Sequence, residues 1–127
     1  MLTTDDGQAL DWREASAFML LARWLGQNGG SPTQVRGLLR EWRARRINTL
    51  RVFASIGHPT FWVARGWHLT PRTPGLYRGL HDLTVAAAEE GIRLRWTLLA
   101  DTADVFRDTA DVRAHVVACM DALRGLP

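Results

Sequence analysis

Ile47-Asn48-Thr49-Leu50-Arg51-Val52-Phe53-Ala54 is the stretch on which the fold turns. It is rich in β-branched and aromatic residues, has the length of a strand, and follows a helical pattern after a short polar break. Alternation sends Asn48, Leu50, Val52 and Ala54 to one face and Thr49, Arg51, Phe53 and Ser55 to the other. A strand covered by helices on both sides is apolar on both faces. Here one face carries a charge, which a doubly wound sheet accommodates badly. A barrel interior can narrow into a polar floor at the C-terminal end of its strands, and it suits Arg51 better.

The flanking segments repeat the pattern. Upstream, Ser31-Pro32-Thr33-Gln34 is a helix start: Ser31 caps, Pro32 fits the first turn, and Gln34 stands three residues after the cap. Val35, Leu38, Leu39 and Trp42 then recur at helical spacing and leave Arg36, Arg40, Glu41 and Arg43 to solvent, up to a stop near Arg46. Downstream, residues 55–74 hold three prolines and no helical period, so they read as a long loop. A helix over 76–90 buries Leu76, Leu80, Leu83 and Ala87, with Gly91 suited to the left-handed position that ends it. Residues 92–100 form a strand whose apolar face is Ile92, Leu94, Trp96 and Leu98 and whose mixed face is Arg93, Arg95, Thr97, Leu99 and Asp101. A last helix over 111–123 buries Val112, Val116, Cys119 and Leu123 and leaves His115 to solvent. At the other end, a strand over 9–14 and a short helix over 16–25 close at Gln27-Asn28-Gly29-Gly30.

Three strand-then-helix units with such long connections imply parallel strands and right-handed crossovers. The expected class is α/β: a single domain, 1–127, comprising the first three βα units of a TIM (β/α)8 barrel, an incomplete barrel. The 127 residues are about half of the ~250 that a closed barrel usually needs. With 46% hydrophobic and 23% charged residues, the composition is that of a globular chain and argues against disorder and coiled coil.

All 16 basic residues are arginine, against nine Asp and four Glu, for a formal charge of +3. The sequence pI of 10.4 overstates basicity, because with no Lys, one Tyr and one Cys almost nothing titrates between neutrality and that value. The absence of lysine reflects codon usage before it reflects phosphate recognition. Cys119 is single, so no intrachain disulfide and no cysteine metal cluster is expected, and a cytoplasmic chain is the natural inference. Met1-Leu2-Thr3-Thr4-Asp5-Asp6 lacks the basic and apolar pattern of a leader, and no run approaches the ~20 residues of a membrane span. No G-x-G-x-x-G or P-loop turn follows any strand, which removes the simplest nucleotide site.

Three stretches carry a resemblance: Trp12-Arg13-Glu14-Ala15-Ser16-Ala17-Phe18-Met19-Leu20-Leu21, Ile47-Asn48-Thr49-Leu50-Arg51-Val52-Phe53, and Gly91-Ile92-Arg93-Leu94-Arg95-Trp96-Thr97-Leu98-Leu99-Ala100-Asp101-Thr102. In order and spacing they resemble the N-terminal part of a cellulase-like glycoside hydrolase of the retaining (β/α)8-barrel clan. The resemblance implies a glycosidase acting on O-glycosyl bonds of β-linked carbohydrate. It also implies that Arg51 holds the nucleophilic carboxylate; a guanidinium forks onto a carboxylate, keeps it ionised and fixes its aim. The clan's two catalytic glutamates stand on its fourth and seventh strands, beyond Pro127, so the chain is expected to be inactive alone. A glycine is usual in the clan where Glu14 stands.

Among the acids, Glu14 and Asp101 are the ones expected at the C-terminal face of the strands, two strand spacings apart, which approaches the wider separation of inverting enzymes. The other reading of Arg51 is a structural partner of either acid. Substrate-binding candidates lie in the loop: Phe61, Trp62 and Trp67 as stacking surfaces, with His58 beside them. The indoles could equally anchor the loop to the rim. The four histidines show no metal spacing, and no cofactor or metal is expected. The expected partner is an oligo- or polysaccharide, with a homo-oligomer or a complementing C-terminal half to cover the open strands and no membrane. The alternative is a non-enzymatic α/β module that binds an acidic partner or nucleic acid through Arg36, Arg40, Arg43, Arg45 and Arg46. Nucleic acid is the less favoured of these partners.

Overall fold

A computed structural model describes residues 3, 5–9, 11–100 and 105–127. Its strands are β1 (Glu14–Ser16), β2 (Thr49–Phe53) and β3 (Arg93–Thr97), and its helices α1 (Leu20–Trp24), α2 (Pro32–Ala44), α3 (Leu76–Glu89) and α4 (Thr109–Leu123). The sheet is open, with order β1-β2-β3 and both pairings parallel, Ser16 beside Arg51 and Arg51 beside Arg95. The class is therefore α/β with successive βα units. Successive crossovers to the next neighbour lay the helices on one face. Beneath them Leu50, Val52 and Ala54 are fully buried, and Leu94 and Trp96 pack against the same core. Trp24 and Trp42 are also partly buried against it. The opposite face carries Glu14, Ser16, Thr49, Arg51, Phe53, Arg93, Arg95 and Thr97.

Local chemistry accounts for the boundaries. Ser31 caps α2, its hydroxyl accepting from the Gln34 amide at 3.1 Å, with Pro32 in the first turn. Ser31→Ala should lower folding stability by about 1 kcal/mol, read from the urea midpoint; an unchanged midpoint would mean that packing alone sets the start of α2. Gly91 follows α3 at φ +74°, as expected of the glycine that ends a helix. Asp108 caps α4 by accepting from the Asp111 amide at 2.8 Å, so that helix begins at Thr109, two residues before the expected start.

Three further boundaries differ from expectation. The first strand is not 9–14 but Glu14–Ser16. The segment before it is held by Asn48 instead of a ladder: the Asn48 amide nitrogen donates to the Asp11 carbonyl, and its side-chain oxygen accepts from the Arg13 N–H at 3.0 Å. The helix expected over 16–25 is only Leu20–Trp24, because residues 17 and 18 still bond β2, Ala17 N–H donating to the Arg51 carbonyl at 2.9 Å. Third, β3 ends at Thr97, and the chain turns at 98–99. Alternation therefore cannot be carried from Thr97 to Asp101, which lies outside the described residues.

His115 corrects a further expectation. It is not solvated on α4 but fully buried. Its Nδ1 lies 2.9 Å from the Tyr77 hydroxyl on α3 and its Nε2 lies 3.1 Å from the Leu98 carbonyl after β3. Helical periodicity marks His115 as one turn from Cys119, and its polarity hid that it shares the buried side.

Candidate functional site

The helix-free face divides along the strands. At the N-terminal end, Glu14 opens β1 level with Thr49 and Arg93, the residues that open β2 and β3. Glu14 therefore does not stand at the C-terminal face where the sequence placed it. It is paired with Arg95, whose Nε donates at 3.1 Å and whose Nη2 also reaches the same oxygen, and it accepts from the Trp12 indole N–H at 3.1 Å. Arg95 chiefly, then the Trp12 indole, hold the Glu14 carboxyl below the usual carboxylate range against an opposing effect of burial, and the charge of Arg51 adds slightly. A carboxylate held ionised in this way is a poor proton donor at neutral pH.

Arg51 occupies the centre of the same face. Its Nε donates to the Thr97 hydroxyl at 3.0 Å, and its guanidinium lies over the rings of Phe18 and Phe53, 5.7 and 5.9 Å from their centroids. Those rings stack on one another, with centroids 4.2 Å apart and planes at 13°. Among the described residues Arg51 makes no salt bridge, so the rest of its donor fork is uncommitted to a carboxylate. Phe18 and Thr97 were not singled out from the sequence. For Thr97 the signal was present, because alternation already set it on the face of Arg51.

The loop after β2 leaves from the C-terminal end of the sheet. Ile56 and Leu69, both fully buried, exchange backbone hydrogen bonds at 2.9 and 3.0 Å and close its base. Gln27 clamps its far side, donating to the His68 carbonyl at 2.6 Å and accepting from the His68 N–H at 3.0 Å, and the Asn28 amide donates to the Arg65 carbonyl at 2.9 Å. Gln27 and Asn28 are thus the residues that fix the loop, a role hidden in the sequence because their partners lie about 40 positions away.

Within the loop, His58, Phe61 and Trp62 come together. The His58 Nδ1 accepts from the Phe61 N–H at 3.2 Å, and the Phe61 and Trp62 rings meet edge to face at 4.5 Å. Phe61 is 48% exposed, with the Arg65 guanidinium 4.7 Å above its ring. Trp62 and Trp67 are half-buried and pack against the core, and the Arg23 guanidinium lies 5.0 Å from the Trp67 ring. The indoles therefore anchor the loop, and Phe61 is its projecting ring. The contacts of Arg51 run to Thr97, Phe18 and Phe53 rather than to this cluster.

The arginines of α2 do not act as one group. Arg36 pairs with Glu89 at 2.8 Å, Arg40 with Glu90 at 3.1 Å, and Arg45 lies over Trp42. Cys119 is buried, its thiol pushed up to about 12 by that burial, which makes it inert as a nucleophile at neutral pH. Among the described residues no three His, Cys, Asp or Glu side chains are grouped to hold a metal, and no helix is long and apolar enough to cross a membrane.

Compared with protein-family models, with curated proteins and with solved structures, the chain finds no match.

Proposed function

We propose that the chain is the first part of a (β/α)8 glycoside hydrolase-like domain, cellulase-like in its target, with the helix-free face of the sheet as the floor of a carbohydrate site. The observation that carries the proposal is Arg51: central on that face, steadied by Thr97 and an aromatic stack, and free of salt bridges among the described residues. Such a guanidinium is suited to receive a carboxylate, hold it ionised and direct one oxygen at an anomeric carbon. Retaining hydrolysis needs two carboxyls about 5 Å apart. The described face offers only Glu14, already taken by Arg95 at the other end of the strands, and Asp101 enters the proposal from the sequence alone. Further strands that bring carboxyls would come from a complementing C-terminal half or a second copy paired to the open sheet.

Phe61 provides the exposed ring for stacking on sugar C–H surfaces, with Trp62 behind it and His58 fixing the turn. Titration with cellotetraose should quench tryptophan fluorescence with a Kd on the order of 1 mM, and Phe61→Ala should weaken that binding about tenfold. The chain by itself should release no reducing sugar. Unchanged fluorescence and unchanged amide shifts at roughly 10 mM cellotetraose would refute the carbohydrate site.

A further inference from the structure

The N-terminal end of the sheet, away from the loop that carries Phe61, collects arginines from three places in the sequence. Arg43 and Arg46 come from the last turn of α2 and the residues after it, Arg93 opens β3, and Arg13 precedes β1. Two cavities lie between them. One, of about 480 Å³, is lined by Asp11, Arg13, Arg43, Arg46 and Asn48. The other, of about 210 Å³, shares Arg43 and Asn48 and adds Arg93.

Charge does not balance there. Among the described residues Asp11 is the one carboxylate lining either cavity, and it is paired with Arg13 at 2.9 Å. Arg43, Arg46 and Arg93 have no acidic partner among the described residues, whereas Arg36 and Arg40 on the same helix are matched by Glu89 and Glu90. The C-terminal ends of α2 and α3 supply roughly half a negative charge each at this end of the sheet, enough to offset about one cation. Three unpaired guanidiniums exceed that.

The wall is also fixed before any ligand arrives. Both polar atoms of the Asn48 side chain are engaged, with the Asp11 carbonyl and the Arg13 N–H, so Asn48 cannot swing in to fill the space. Arg46 sits at φ +63°, a left-handed turn that carries the chain from α2 back toward β2 and sets its side chain on the cavity wall. Since every cation in this chain is arginine, the choice of arginine over lysine is uninformative. The convergence of unpaired guanidiniums on concave surface is what points to a ligand.

We propose that these cavities form a binding site for a small phosphate-bearing anion, held by Arg43, Arg46 and Arg93. Guanidinium forks bind phosphate oxygens in pairs, and two cavities that share Arg43 as a wall suit a ligand with two anionic groups, or one such group and a polar remainder. A duplex or single strand would be met by a line of cations along a surface, and on α2 that line is broken at Arg36 and Arg40 by their ion pairs.

The probe is pyrophosphate, titrated calorimetrically into the chain at low salt. Binding with a Kd on the order of 0.1 mM is expected. Arg43→Gln or Arg93→Gln should each weaken it about tenfold, and the triple variant with Arg46→Gln should lose it. Arg36→Gln together with Arg40→Gln should leave it unchanged, and all these side chains are peripheral to the core, so unfolding midpoints should stay close to that of the parent. If the triple variant folds poorly, the two single variants decide. The site is refuted if pyrophosphate does not bind, if it binds the single variants as well as the parent, or if an oligothymidine strand binds and pyrophosphate does not compete. The carbohydrate proposal rests on Arg51 and on the loop at the C-terminal end of the strands and is read by cellotetraose, so either can fail without the other.

Discussion

Gly30→Ala is expected to lower folding stability by about 3 kcal/mol and the melting temperature by roughly 10 °C. Gly30 links the turn after α1 to the cap of α2, with an ordinary extended backbone at φ −69° and ψ 164°, so conformational strain is not the reason. The reason is space. A Cβ at position 30 would lie 2.4 Å from the carbonyl oxygen of Arg23 and 2.6 Å from its Cα, backbone atoms of the last turn of α1 that cannot rotate away. Either α1 shifts or the cap of α2 does, and both carry core residues, Leu21 on one side and Val35 on the other. Gly37→Ala is the control. It lies inside α2 with nothing within 4 Å of a new Cβ, so the same substitution should raise stability by about 0.5–1 kcal/mol through helix propensity. Thermal unfolding of the two variants beside the parent checks both signs, and a Gly30 variant as stable as the parent would disprove the contact between α1 and the start of α2.

His115→Ala is expected to cost about 3 kcal/mol near neutral pH and less in mild acid. The substitution opens a cavity and strands the Tyr77 hydroxyl and the Leu98 carbonyl, both of which end on the imidazole. With Nε2 donating to Leu98, the neutral ring accepts the Tyr77 proton at Nδ1, which satisfies every polar atom of the trio. Burial holds the His115 pKa below its ordinary value, opposed by the Leu98 carbonyl and by Asp111. The unfolded chain therefore takes up a proton at a higher pH than the folded one. Stability from this group is complete above the unfolded value near 6.5 and is lost progressively as pH falls below it, down to the folded pKa. The difference between parent and His115→Ala, measured by urea unfolding at pH 7.5 and pH 5, should narrow in acid. A difference that is constant or grows would show that His115 is charged in the folded state.

How far the sequence reached can be judged residue by residue. Leu50 and Val52 against Arg51, and Leu94 and Trp96 against Arg93 and Arg95, separate the two faces by alternation alone, and the structure lays the helices over the apolar set. The start of α2 at Pro32 and the end of α3 before Gly91 follow from a cap, a proline and a glycine, local signals that need no partner. What failed did so where a partner decided. Glu14 looked like a strand-end acid, but strand pairing begins at Glu14 itself, which sets it at the N-terminal end beside Arg95. His115 looked like a surface residue because nothing local says that Tyr77 and Leu98 would satisfy it.

The candidate site divides in the same way. The central position of Arg51 and the aromatic character of the loop were legible, being properties of single segments. The neutralisation of Arg36 and Arg40, the clamp of Gln27 on His68 and the meeting of Arg43 with Arg93 were not, since each joins residues 40 or more positions apart. By itself the sequence determined the order of strands and helices and which side of each is apolar, because periodicity and capping act within a few residues. Only the tertiary structure decided which charges are spent on one another and which are left for a ligand, because Coulombic and hydrogen-bond partners are chosen by distance in space.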